Sequence, residues 1–408
     1  MVWACAAAML LTLGPLAALI LLGAGRLARS LGEPPPPSAP WPRLSLIVPV
    51  AGPPEGLAAE LTTLLTQDYP DYEVLVVTAR LDEPGVPLIQ ELMRRFRHLR
   101  HVVSGPARSC GQKNHNLLAG LGLADPRSPV IAFCDRGRLA PPDFLRHLVA
   151  PLLAGAQVAS GYHRLHPDKP CLAALARAAV VLMLRLTREF PVLMQPWGGA
   201  TALRGELFTS LGIPALWART VVDDVSLAAR LKKCRVPVVS APGALLTTPA
   251  APETWGQAVA WLTRQWLYLK YYFPGTWLAA GLLVHLTLAL TAAVGLQLLM
   301  TPLLGVGLET CLAAGYVGAL SLLCTRLHRL LQTPVRRGQA LLLWPAALLL
   351  AAWAHLASGV THVLRWQGLA YRMGLGGEVR QIWRTDSSDS PAAGSVLGLG
   401  GKEGARKT

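Results

Sequence analysis

The chain has 408 residues, of which 52% are hydrophobic and only 15% charged, against about a quarter charged in ordinary globular domains. That balance excludes a single soluble domain, and the formal net charge of +15 comes without a Lys/Arg block, zinc-finger spacing or basic-aromatic motif, so no nucleic-acid partner is expected. The seven cysteines, at 5, 110, 134, 171, 234, 311 and 324, include no C-x-x-C pair, which argues against a zinc site or a disulfide scaffold.

From Met1 to Gly25 no residue is charged, and at about 1.5 Å per residue such a run crosses a hydrocarbon core of roughly 30 Å. Residues 1–29 are therefore predicted to be an N-terminal transmembrane helix. Neither a basic n-region nor a small-residue cleavage site marks it as a signal peptide. Arg26 and Arg29 at its end place the N-terminus outside and the following chain in the cytoplasm. Residues 30–40 (SLGEPPPPSAP) are a proline-rich linker, stiff and extended. Residues 41–270 hold most of the acidic residues and are predicted to be the water-facing domain.

Within that domain the hydrophobic period alternates between strand and helix. Leu44 to Val50 (LSLIVPV) is a short continuous apolar run, as expected of a strand buried on both faces. Glu55 to Leu65 reads as a helix, Glu73 to Val77 as a strand and Pro87 to Arg97 as a helix. His101 to Val103 reads as a strand, Gly111 to Leu123 as a helix and Val130 to Cys134 as a fourth strand. Such alternation with short connections predicts an α/β fold with a mostly parallel sheet flanked by helices. Ligands of such sheets bind at the carboxyl ends of the strands.

Residues 271–364 return to the membrane. From Tyr271 to Thr325 the only charge is Glu309, and Pro302 with Gly305 interrupts the run, which predicts two helices joined by a tight turn. Arg326 to Arg337 is basic and Gln339 to Leu364 is again uncharged and long enough to span. One N-terminal and about three C-terminal transmembrane helices result, giving an integral, multi-pass protein with its domain on the cytoplasmic side. Strict alternation then puts residues 365–408 outside, although the basic RWQGLAYR stretch favours inside; a re-entrant or interfacial segment would reconcile the two. The region is predicted to be a basic juxtamembrane segment followed by a disordered tail.

Three places carry candidate chemistry. Asp135 follows the fourth strand directly, where a carboxylate either ligates a divalent ion bridging phosphate oxygens or caps the next turn. Asp223 and Asp224 stand side by side ahead of a helical run, as dipole caps or as a general base with its neighbour. Lys113, with Asn114, His115 and Asn116, opens a helix and suits phosphate or base recognition. No P-loop, H-E-x-x-H or G-x-S-x-G motif occurs.

In order, LSLIVPVAG, LLTQDYPDYEVLVV, QKNHNLLAGL, IAFCDRG, VVDDVSLAARL and RQWLYLKYYFPG resemble the membrane-bound family 2 glycosyltransferases, most similarly the ceramide glucosyltransferase type. The resemblance runs over residues 44–275. It implies a GT-A type fold, a nucleotide-sugar donor, commonly a UDP-sugar, and a divalent metal, Mg or Mn. It further implies that Asp82, Lys113, Asn116 and Asp135 bind the donor, with Asp135 at the metal, and that Asp224 is the base with Asp223 in place of the preceding glutamate. Gly137 stands where the D-x-D form has its second aspartate. The family's Q/R-x-x-R-W falls on Leu262 to Trp266, where only the tryptophan is in register; Arg264 and Gln265 are the donor-side candidates, one residue and about 100° apart on a helix. Trp197 and Trp266 are candidate acceptor-side faces.

The implied activity is inverting transfer of a sugar to a membrane lipid hydroxyl, such as a ceramide or hopanoid-like lipid. A processive polysaccharide synthase and a non-catalytic membrane scaffold that keeps the fold are the alternatives.

Overall fold

A computed structural model describes residues 2–30, 40–331 and 335–385; the interior of the proline-rich linker and the tail beyond Thr385 lie outside the described residues. Seven strands form the main sheet: β1 (Leu44–Pro49), β2 (Tyr72–Thr78), β3 (Leu99–Val103), β4 (Val130–Phe133), β5 (Val158–Pro167), β6 (Thr201–Arg204) and β7 (Val238–Ala250). Their order is β3-β2-β1-β4-β6-β5-β7. β3, β2, β1 and β4 run parallel, as the strand-helix alternation predicts. β6 is antiparallel to both β4 and β5, and β5 is parallel to β7. Of the last three strands, none of which was expected, β6 and β7 escape sequence reading for local reasons. β6 has only four residues, and Pro242 with Gly243 interrupts the apolar pattern of β7, which tolerates them because it lies at the sheet edge.

β1 is buried at every position, so its side chains pack on both faces of the sheet. The helix Gln112–Leu123 lies flush on one face. A Cβ at Gly120 would stand 2.6 Å from Ile47 and 3.0 Å from Val77, so glycine sets that close approach. The approach brings the first turn of the helix to the carboxyl ends of β1 and β4.

Among the described residues, four helices are long and apolar enough to cross a membrane, within Met9–Arg29, Pro274–Leu303, Leu308–Leu331 and Gly338–Val360. The domain meets them through two further helices, Leu172–Thr187 and Trp255–Tyr272. Leu175, Ala179, Leu182 and Leu262 from this pair pack in one apolar cluster with Ala24 and Leu27 of the N-terminal helix and Leu327, Leu343 and Leu350 of the C-terminal ones. Domain and helices thus share a core.

The region after the last of these helices departs from expectation. Within the segment expected to be juxtamembrane, β8 (Val363–Trp366), β9 (Leu369–Met373) and β10 (Val379–Arg384) form an antiparallel sheet, and the expected disordered tail lies outside the described residues. Gln367 and Gly368 turn between β8 and β9 with φ of 49° and 70°, the left-handed pair that closes a two-residue hairpin. The sheet is bonded to the domain: Val221 N donates to Gly377 O at 3.0 Å and Val379 N to Arg219 O at 2.9 Å. Alternating apolar residues around Gln-Gly were the missed signal.

Candidate active site

Three separate elements deliver the charges. Asp135 follows β4 by two residues. Lys113 projects from the first turn of Gln112–Leu123, and Asp223 and Asp224 from the first turn of the helix Asp223–Lys233, where the helix dipole favours anions. The Lys113 Nζ lies 2.7 Å from Asp135 Oδ1 and 3.0 Å from Asp223 Oδ2. Asp224 is held by backbone: its Oδ2 accepts from Gly198 N at 2.9 Å and its Oδ1 from Val225 N at 2.8 Å. A Cβ at Gly198 would come within 2.5 Å of both Lys113 Nζ and Asp223 Oδ2, so that backbone approaches the cluster only as glycine.

Burial sets the electrostatics. Loss of water raises the pKa of Asp223 and of Asp224, and the Lys113 ammonium opposes the rise in both. Burial alone would lower the pKa of Lys113; the carboxylates of Asp135, Asp223 and Asp224 outweigh it and raise the pKa above the ordinary lysine value. Lysine therefore stays charged. The ammonium opposes but does not cancel the effect of burial on the aspartates, and Asp223 is still pushed up to about 7.

These groups line a cavity of about 1050 Å³ at the carboxyl ends of the strands. Ala51, Ala79, Glu83 and Asn116 line it from the β1–β3 side, and Trp197, Arg264 and Gln265 line it as well. Asn116 is buried, its Oδ1 accepting from Ser104 Oγ at 2.7 Å and Gln112 Nε2 at 2.8 Å. Trp197 stacks on His163 with centroids 4.6 Å apart and planes 8° apart. Arg264 and Gln265 both reach the cavity, so the one-residue displacement of the arginine leaves it on the same wall.

Two predicted residues are not brought to the site. Asp82 is exposed, ion-paired with Arg80, and does not line the cavity; its neighbour Glu83 does, accepting from Ala79 N at 2.9 Å. The β2–helix loop turns Asp82 outward and Glu83 inward. Trp266 lies in the apolar junction with the membrane helices, its ring 4.8 Å from His355, because one step beyond Gln265 rotates it off the cavity face.

Sequence reading missed Arg138, Tyr162, His163, Arg177, Trp261 and Tyr268, all cavity residues. Arg138 lies three residues beyond Asp135 in the same loop, and Trp261 and Tyr268 share a helix face with Arg264 and Gln265; periodicity around the quoted motifs could have found these three. The hairpin residues Trp366, Gln367 and Gly368 also line the cavity.

Among the described residues no three His, Cys, Asp or Glu side chains converge as a complete metal cage. Asp135 nevertheless fits a donor-dependent ion: it faces the cavity, and only its Oδ1 is engaged, by Lys113, among the described residues. A hard cation takes one or two carboxylates and completes its shell with phosphate oxygens and water.

The model of glycosyl transferase family 21 matches residues 10–379, most of the chain, whereas the motif order resembles family 2. Among solved structures, a mannosyltransferase from Pyrobaculum calidifontis, in complex with GDP-Man and Mn2+, is similar at 19% identity. The match covers 87% of this chain and 98% of that one, with a TM-score of 0.53, and shows a shared GT-A type fold. A glucosyl-3-phosphoglycerate synthase from Mycobacterium tuberculosis matches at 16% identity over 60% of this chain and 82% of that one, with a TM-score of 0.37.

Replacing Lys113 with methionine removes the cation that opposes protonation of the buried aspartates. Their titration, followed by the infrared band of protonated carboxyl groups, is expected to move up by about one to three pH units. An unchanged titration would mean that the ammonium does not hold them ionised.

Proposed function

The chain belongs to glycosyl transferase family 21, and we propose that it moves a sugar, with inversion, from a nucleotide-sugar donor to the hydroxyl of a membrane lipid. The observation that carries this reading is Asp224. It is half-buried, fixed by two backbone N–H groups and lines the cavity that Lys113 and Asp135 share. A carboxylate whose pKa is raised by burial is a competent general base near neutral pH. Asp224 takes the acceptor proton as the hydroxyl oxygen attacks the anomeric carbon, and a single displacement inverts that centre.

Negative charge grows on the departing diphosphate. Lys113, held by Asp135 and Asp223, and Arg264 supply positive charge there without reorganising. Asp135 would hold Mg or Mn, which would add charge neutralisation at the diphosphate. Ala79, Glu83 and Asn116 fit the nucleotide side, where the family type takes UDP. Ceramide and hopanoid-like lipids are the acceptors that the motif order brings forward. A lipid acceptor also suits the junction, because Trp261 and Arg264 line the cavity from a helix whose other face packs with the membrane helices.

The domain lies on the cytoplasmic side and the N-terminus opposite, following Arg26 and Arg29. The Arg337–Val360 helix is tied to the domain at both ends: Gln339 Nε2 donates to Pro170 O at 2.9 Å, and Lys270 Nζ to Ser358 O at 2.8 Å. Its outward residues Leu342, Leu349, Trp353 and Leu356 are apolar and exposed, spaced along one face. This helix lies in the cytoplasmic leaflet rather than crossing it. The chain then crosses three times, and the β8–β10 sheet stays on the domain's side.

Asp224→Asn is expected to lower kcat by about 10²- to 10⁴-fold with donor affinity kept; near-full turnover would remove Asp224 as the base. A protease site placed after residue 385 should be cleaved in membrane vesicles only in the orientation that also exposes the domain. Cleavage in the opposite orientation would mean four crossings.

A further inference from the structure

The helix Leu172–Thr187 runs into a short loop whose tip, Pro191 to Leu193, is apolar and exposed. Val192 is 92% exposed and Leu193 48%, and Met194 follows. The loop is not loose chain: Leu193 N donates to Phe190 O at 2.9 Å and Met194 N to Pro191 O at 3.3 Å. Arg188 closes its base, Nη1 donating to Gln195 O at 2.7 Å and Nη2 to Gly161 O at 3.0 Å. A fixed turn that presents three consecutive apolar residues lacks the polar groups by which turns are ordinarily solvated, and such patches mark contacts with membrane or protein.

The position of the loop selects the membrane. Arg26 Nη1 donates to Glu189 O at 3.2 Å, and the Arg26 guanidinium sits 4.7 Å above the Phe190 ring. A Cβ at Gly23 would stand 3.2 Å from Leu186 O and 3.4 Å from the Phe190 ring, so the base of the loop rests on the N-terminal helix. Arg26 is the first charge after the apolar run of that helix and Gly23 lies inside the run, which sets the contact at the border of the bilayer. Leu21 and Leu22, next to Gly23, are exposed as well. The loop is also continuous with the site. Leu184, 38% exposed, lines the cavity, and beyond the loop come Trp197, which lines it too, and Gly198, whose N–H holds Asp224.

We infer that the Pro191–Met194 loop is inserted in the cytoplasmic leaflet and, with Leu184, forms the lip over which the hydrocarbon chain of the acceptor leaves the cavity. Val192 and Leu193 lie among acyl chains, where their exposed surface is removed from water. The reacting hydroxyl reaches Asp224 while the chain stays in the leaflet, so the lipid is not lifted out of the bilayer. The inference rests on the lipid-acceptor reading and gives it an entrance.

The test uses the full-length protein in phosphatidylcholine nanodiscs. In a background in which the exposed Cys234 and Cys311 are serine, Val192→Cys carries an NBD fluorophore. Arg127→Cys, exposed ahead of β4 at the far end of that strand from Asp135, is the control, and the signal of the labelled background is subtracted. Phosphatidylcholine spin-labelled near the top of its acyl chain should quench the probe at 192 at least about fivefold more strongly than the probe at 127. Equal quenching would overturn the insertion. The double variant Val192→Ser with Leu193→Ser should raise the KM for long-chain ceramide in the bilayer by roughly tenfold, while the donor KM changes less than about twofold. The KM for a short-chain, water-soluble ceramide should stay at the wild-type value. A KM raised equally for both ceramides, or for neither, would overturn the entrance. Quenching needs no turnover and so separates the two levels. A quenched probe at 192 in a protein that neither hydrolyses nor transfers from any of a panel of nucleotide sugars defeats the glycosyltransferase reading, and the entrance with it, but not the insertion. Transfer with an unquenched probe defeats the insertion alone.

Discussion

The ammonium of Lys113 between Asp135 and Asp223 is the interaction on which the site depends. Asp223, buried, and Asp224, half-buried, are adjacent in sequence, and desolvation raises the pKa of both. One lysine, half-buried and held charged by the same carboxylates, opposes that rise in both. Each group is unfavourable alone and compensated in the set. The cluster is also what ties β4 to the helices Gln112–Leu123 and Asp223–Lys233, so the site's charge balance and the domain's geometry are one arrangement.

That arrangement depends on close packing further away. Gly120 lets its helix rest on Ile47 and Val77, and Gly198 lets a backbone N–H reach Asp224 beside Lys113. The junction helices Leu172–Thr187 and Trp255–Tyr272 serve two surroundings, with apolar residues in a core shared with the membrane helices and Arg177, Trp261 and Arg264 at the cavity. A water-soluble donor and a lipid acceptor need a wall of this kind, polar on one side and apolar on the other.

Much of this was legible in the sequence because it is local. β1 and β4 are continuous apolar runs and β2 nearly so, with helices between them, and Asp135, Lys113 and the Asp223–Asp224 pair stand at element ends, where ligands of such sheets bind. What was not legible depended on rotation or on distant chain. Whether Asp82 or Glu83 faces inward is a matter of one loop residue, and Trp266 departs from Gln265 by one step of helix. The contribution of β8–β10 to the cavity could not be read from local sequence, since Trp366 and Gln367 lie more than 100 residues beyond Asp224 and are brought there by the bonds of Val221, Arg219 and Gln112 to that sheet and by its apolar packing on Val222 and Leu267. The β8–β9 turn itself was readable and was passed over.

The central claim is that Asp135 and Lys113 mark a donor-diphosphate site. Nucleotide-sugar turnover by the purified protein in mixed lipid, with Mn and with chelator, tests it directly when wild type is compared with Asp135→Ala. The account predicts turnover that needs the ion and is lost in the variant. Turnover unchanged by chelator and retained by Asp135→Ala, or no nucleotide binding at all in the wild type, would contradict it.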